Sequence, residues 1–117
     1  MNTATLTSIL SAQLAAYRHA RNVDDQPAAW SALERAHIVS QPMLGPHMRV
    51  HVLMLGFALR LRDPRESVGQ LLRLALAPLG ALTGRLPLGN TGRANVNAFQ
   101  PMPIPLDLAA RIDERAQ

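Results

Sequence analysis

A chain of 117 residues, 48% of them apolar, is long enough for one domain with a modest core and too hydrophobic to be disordered by composition. Its formal charge is +4, every basic residue is arginine, and there is no cysteine, which excludes disulfides and thiolate metal sites. The arginines are scattered from Arg18 to Arg115 and aromatic residues make up only 3% of the chain, so the long basic run and stacking platforms of a nucleic-acid binder are missing.

A core built from Leu, Ala, Val, Ile and Met favours helices over a β-sandwich. The expected fold is all-α: a four-helix, bundle-like single domain over 1–83, an extended Pro/Gly-rich strap over 84–105, and a short last helix over 106–117. The N-terminus lacks the basic start and apolar run of a signal peptide. The central run "LLRLALAPLGAL" is broken by Arg73 and Pro78 and falls short of the roughly 20 residues a spanning helix needs. A soluble, cytoplasmic protein without a membrane partner is expected.

The first helix is predicted from about Thr5 to Ala20, with Leu6, Ile9, Leu10, Leu14 and Tyr17 on one face, Gln13 as its polar exception, and His19 nearly opposite in solvent. The second runs from about Pro27 to Ser40, capped by Asp25 or Gln26, with Trp30, Leu33, His37 and Gln41 in line, Glu34 beside them, and Ala32 and Arg35 facing away. The third, from Pro46 to about Leu61, is apolar almost all round and predicts a buried central helix. His47, His51, Met54, Leu55 and Ala58 occupy its core side; Arg49, Leu53, Gly56 and Arg60 form its one solvent stripe.

"DPRE", residues 63–66, has the pattern of a capping box with proline in the first turn, opening a fourth helix that Pro78 should kink or end. Beyond Gly84, Gly, Asn and Pro fall at turn-like spacings. "QPMPIPLD" should be extended, with Leu86, Leu88, Val96, Phe99, Met102, Ile104 and Leu106 too many apolar groups to leave in water. Asp107 is expected to cap the last helix.

"AWSALERAHIVSQ", "PHMRVHVLML" and "LAPLGALTGRLPLGNTGRANVNAFQPMPIP" resemble a small bacterial family catalogued as domain of unknown function 3703, over about Trp30 to Pro105. The resemblance implies a small helical protein with a histidine-bearing helical pair and a long tail, and no particular reaction. "AWSALERAH" followed by an apolar helix and "DP" also resembles a tetratricopeptide hairpin, but the period departs from the usual ~34 residues. That likeness implies helix pairing only.

Chemistry concentrates at the join between the second and third helices. Glu34-x-x-His37 and His47-x-x-x-His51 are helical spacings that aim both members of a pair to one side. A short loop should bring the pairs together as ligands for a single transition-metal ion, zinc or iron being the leading candidates, with Tyr17 and Trp30 as supporting partners. With Glu66 and Glu114 as the only other glutamates, a di-iron carboxylate site is excluded. Two other readings stay open. In one, the histidines only form a buried polar network, in which Glu34 accepts from His37 or His51, inside a helical scaffold that pairs with itself or a protein partner. Alternatively His37 and Glu34 form a general-base dyad. In the tail, "GNTGRAN" either cradles an anion through Asn90, Arg85 and Arg93 or simply turns the chain.

Overall fold

The computed structural model describes residues 3–84 and 87–116, with side chains followed to Asp113; Arg85 and Leu86 lie outside it. Five helices follow in order: α1 (Thr3–Asn22), α2 (Gln26–Ser40), α3 (Leu44–Arg60), α4 (Pro64–Thr83) and α5 (Leu106–Ala116). No strand occurs among the described residues, so the fold is all-α. No described helix is long and apolar enough to cross a membrane.

Short links make α1–α2, α2–α3 and α3–α4 successive neighbours, and α5 returns to α1. The α1 face matches the periodicity, Gln13 included, and His19 is exposed. Asp25 caps α2 by accepting from the Ala28 N–H at 3.1 Å, with Pro27 in the first turn. The central helix is α2, not α3. Ala29, Ala32 and Ala36 are all buried, because small side chains let α1 and α3 approach from both sides. Ala32 therefore does not face solvent. In α3 the histidines, Met54 and Ala58 point inward as expected, but Val52 and Leu59 are exposed.

The fourth helix departs most from expectation. It runs through Pro78 to Thr83 and closes at Gly84, whose φ of +72° supplies the left-handed cap that ends a helix. Apart from Gly80, its buried residues are polar: Glu66, Ser67, Gln70 and Arg73. Its apolar residues Val68, Leu71, Leu72 and Leu79 face out. Only half of the capping box forms. Asp63 accepts from the Glu66 N–H at 3.0 Å, whereas the Glu66 carboxylate is turned inward to other partners.

Residues 87–105 carry no helix or strand. They are held by backbone groups more than by apolar side chains: Gln41 donates to the Pro87 carbonyl at 2.8 Å and accepts from the Gly89 N–H at 3.0 Å. Leu88, Phe99 and Leu106 stay exposed, Val96, Met102 and Ile104 are half-buried, and the buried anchors at this end are Leu108 and Ile112 of α5. Asp107 does not cap α5; its carboxylate takes a bidentate pair from Arg35 of α2, at 2.7 and 3.2 Å.

Candidate metal centre

The last turn of α2 contributes His37, and the first two turns of α3 contribute His47 and His51. The link between the helices is only residues 41–43, so the two helix ends must lie side by side. All three rings are buried. Their Nε2 atoms converge into a nearly equilateral triangle: His37 to His47 3.0 Å, His37 to His51 3.1 Å, and His47 to His51 3.2 Å.

The outer nitrogens decide where the protons sit. His37 Nδ1 lies 2.7 Å from the Asn90 carbonyl, which only accepts, so Nδ1 carries the hydrogen. His51 Nδ1 lies 2.8 Å from Gln70 Oε1. The Gln70 amide nitrogen donates to Glu66 Oε2 and to the Gly92 carbonyl, both at 2.8 Å, which fixes the oxygen toward His51 and makes His51 Nδ1 the donor. In the neutral state both His37 and His51 therefore turn bare Nε2 lone pairs toward the centre. His47 Nδ1 is buried without a hydrogen-bond partner, so no outer bond fixes its tautomer, and in the metal-free protein its Nε2–H can donate to a neighbouring imidazole.

Extra protons are disfavoured. Burial first, and then mutual repulsion with His51 and His47, holds His37 well below its ordinary value. Burial and His51 lower His47 to about 4. Burial lowers His51, against the hydrogen bond it donates to Gln70. Three acceptors thus share at most the one proton that a neutral His47 can supply, and one donor cannot serve two lone pairs well. A cation at the centre serves all three. Nitrogens 3.0–3.2 Å apart sit on a circle of about 1.8 Å radius, so an ion at the ~2.0–2.1 Å typical of metal–imidazole bonds would stand roughly 1 Å above their plane.

The cradle behind the triad comes from the tail. Gly92, at φ +81°, lies against the His37 ring so closely that an added Cβ would come 2.6–2.9 Å from ring atoms. Asn90 is buried, and its amide donates to the carbonyls of Asn97 and Gln100 and accepts from the Gly92 N–H, which shapes the turn. Arg93 pairs with Glu66 at 2.6 Å and stacks over Trp30 at 3.7 Å. Asn90 and Arg93 are thus engaged within the protein rather than aimed at an anion, and Arg85 lies outside the described residues.

Of the four residues singled out as ligands, the structure brings together the three histidines; among the described residues they form the one group of this kind. Glu34 stands apart, half-buried, its pKa raised by burial with Arg93 opposing. Tyr17 packs on Phe57 and Phe57 on Trp30, at 5.6 and 5.0 Å between ring centres, in an aromatic cluster away from the histidine ends of α2 and α3. The partners that sequence reasoning missed are Gln70, Glu66 and Gly92. The only signal was a polar row, Glu66, Gln70, Arg73, at helical spacing, which ordinarily marks a solvent face.

A cavity of about 40 Å³ adjoins the triad, lined also by Arg73, Leu76 and Phe99. Fold and geometry together define an all-α protein with a buried three-histidine site, two of whose imidazoles are held with Nε2 unprotonated. The chain belongs to the family described as "Protein of unknown function (DUF3703)", whose model matches residues 4–112. No curated protein and no solved structure matches it.

Proposed function

We propose that this protein binds one transition-metal ion through Nε2 of His37, His47 and His51 and presents it to a small ligand, for metal handling or for chemistry on that ligand. The observation that carries the reading is the triangle of buried acceptor nitrogens, two of them fixed by Nδ1 hydrogen bonds to Asn90 and Gln70. Such outer bonds orient ligating histidines and raise their basicity. Three imidazoles without a carboxylate suit zinc or copper better than ferrous iron, whose common open site is two histidines and a carboxylate. Glu34 has no ligand role in this reading.

The test is elemental analysis of untagged protein purified without chelators, with titration by zinc, copper and cobalt. One equivalent of metal in the wild type, lost in His37→Ala with the helical circular dichroism retained, is the expected result. A folded protein that carries no metal and takes up none overturns the proposal.

A second reading is favoured by the outer face of α4. Val68 and Leu71 are 65% and 56% exposed, and with Leu55 and Leu59 they line a groove along α3 and α4. Apolar surface of this extent on a small protein suits a helical interaction protein, dimeric or bound to a partner, whose histidines only form a buried polar network. Light scattering on the metal-free protein checks it: a monomer at high micromolar concentration argues against self-association.

A further inference from the structure

The cavity beside the triad takes in Arg73 as well as the histidines. Arg73 is 7% exposed. Its Nη1 donates to the Gly69 carbonyl at 3.2 Å and its Nη2 to the Val96 carbonyl, while its Nε is buried without a partner. These partners are neutral. Glu66, whose charge Arg73 feels, is already paired with Arg93 and also accepts from the Ala94 N–H at 2.9 Å and the Gln70 amide at 2.8 Å.

Charge balance follows from the metal-binding reading, on which this argument rests. A divalent ion on three neutral imidazoles adds two positive charges to Arg73 and Arg93, against the single carboxylate of Glu66. Uncompensated charge in a buried site is costly, and an anion close to both the metal and the guanidinium removes the excess. The cavity of about 40 Å³ has room for a few water-sized groups, since one water needs about 10–15 Å³ by the same measure, so the anion is small. Planar carboxylates are also the partners that a guanidinium fork matches best.

We infer that the exogenous ligand of this site is a small monovalent carboxylate-type oxyanion, bound to the metal and hydrogen-bonded by Arg73. Leu76, Ala77 and Phe99 line the remaining space and limit its size.

Cobalt(II) is the probe, because its visible bands report both binding and the ligand in the open position. The wild-type protein is first loaded with cobalt, then titrated at constant ionic strength with sodium formate, with formamide as a neutral molecule of the same shape, and with benzoate as a larger carboxylate. Saturable band shifts with formate, and responses at least about tenfold weaker to formamide and benzoate, are expected. Arg73→Gln should weaken formate at least about tenfold, and Arg73→Lys should restore part of the loss. Cobalt binding with equal responses to formate and formamide, or with none to either, overturns the anion proposal and leaves the metal site standing. Failure to take up cobalt overturns both. Should Arg73→Gln not fold, the formate–formamide comparison on the wild type still decides.

Discussion

Two ends of the same helix pair, α2 and α3, are built on opposite principles. At one end Trp30 and Phe57 meet edge to face, joined by Tyr17 of α1, in an apolar cluster with ring centres 5.0 and 5.6 Å apart. At the other end, about 10 Å further along α2, His37 meets His47 and His51 at similar centre distances, 4.7 Å in both cases. Both are three-ring contacts among buried residues. The first is complete in itself. The second leaves nitrogen lone pairs facing one another and is supported by a shell of polar groups from α4 and the tail. A packed cluster of rings is therefore not one kind of object: the aromatic end is a stability element, and the imidazole end groups nitrogens that could hold a metal ion.

Acid should separate the two ends most strongly. All three histidines have folded-state pKa values lowered from 6.5, His47 to about 4, so below pH 6.5 the unfolded chain binds protons that the folded chain refuses. Stability of the metal-free protein is then full above about pH 7 and falls as pH drops toward 4, at up to about 1.4 kcal/mol per pH unit per histidine. Glu34, whose pKa is raised, offsets a little of this because its protonation favours the folded state. Urea unfolding at pH 7, 6 and 5 should show a loss of several kcal/mol; a flat profile would mean that the imidazoles are solvated and the comparison fails. Bound metal should suppress the loss until protons compete for the nitrogens.

Phe57→Ala should cost about 3–5 kcal/mol, the usual range for removing a buried aromatic, and lower the melting temperature by roughly 10 °C or more. Metal stoichiometry should stay at the wild-type value. Loss of metal in a still-helical Phe57→Ala protein would show that the two ends are one unit, coupled through Arg93, which touches both Trp30 and Glu66.

Gln70→Leu sharpens the other side. It removes the acceptor for His51 Nδ1 and the donor to Glu66 and Gly92 while keeping a side chain of similar size. Loss of an orienting partner behind a ligand typically lowers metal affinity about 10–100-fold. Zinc titration against a competing chelator measures this. Unchanged affinity would mean that the polar shell holds the tail in place and does nothing for the metal.

Much of this was legible in the chain. The number of helices, Asp25 as a cap, the inward aim of His37, His47 and His51, and Gly84 as a boundary follow from periodicity and turn chemistry, which act locally. What was not legible depends on partners distant in sequence. Nothing local tells that Gln70 will accept from a histidine 19 residues away, or that Gly92 will lie under His37. The fourth helix misled for a physical reason: its polar row faces inward because the histidines and the tail offer it hydrogen bonds, so hydropathy assigns its faces the wrong way round. Pro78 does not end the helix, because a proline removes one backbone hydrogen bond and, near a helix end, the remaining turns tolerate the loss. Glu34 was the natural acceptor by spacing, yet the Asn90 carbonyl and Gln70 fill that role.

The smallest effect should come from a contact that looks strong on distance alone. Arg35 and Asp107 form a bidentate pair at 2.7 and 3.2 Å, linking α2 to α5, and the Arg35 hydrogen bonds hold the Asp107 carboxyl below its usual value. A lowered carboxyl pKa contributes stability that is present above about pH 4 and lost as pH falls through the folded value. The Asp107 side chain is nevertheless 69% exposed, so water and salt screen the pair. The helix is docked instead by Leu108, which is fully buried. Asp107→Asn should therefore move the melting temperature by no more than about 2 °C, and added salt should erase the difference. A larger, salt-insensitive drop would make the α2–α5 pair a structural clamp, and would place a third stabilising region beside the two ends of the α2–α3 pair.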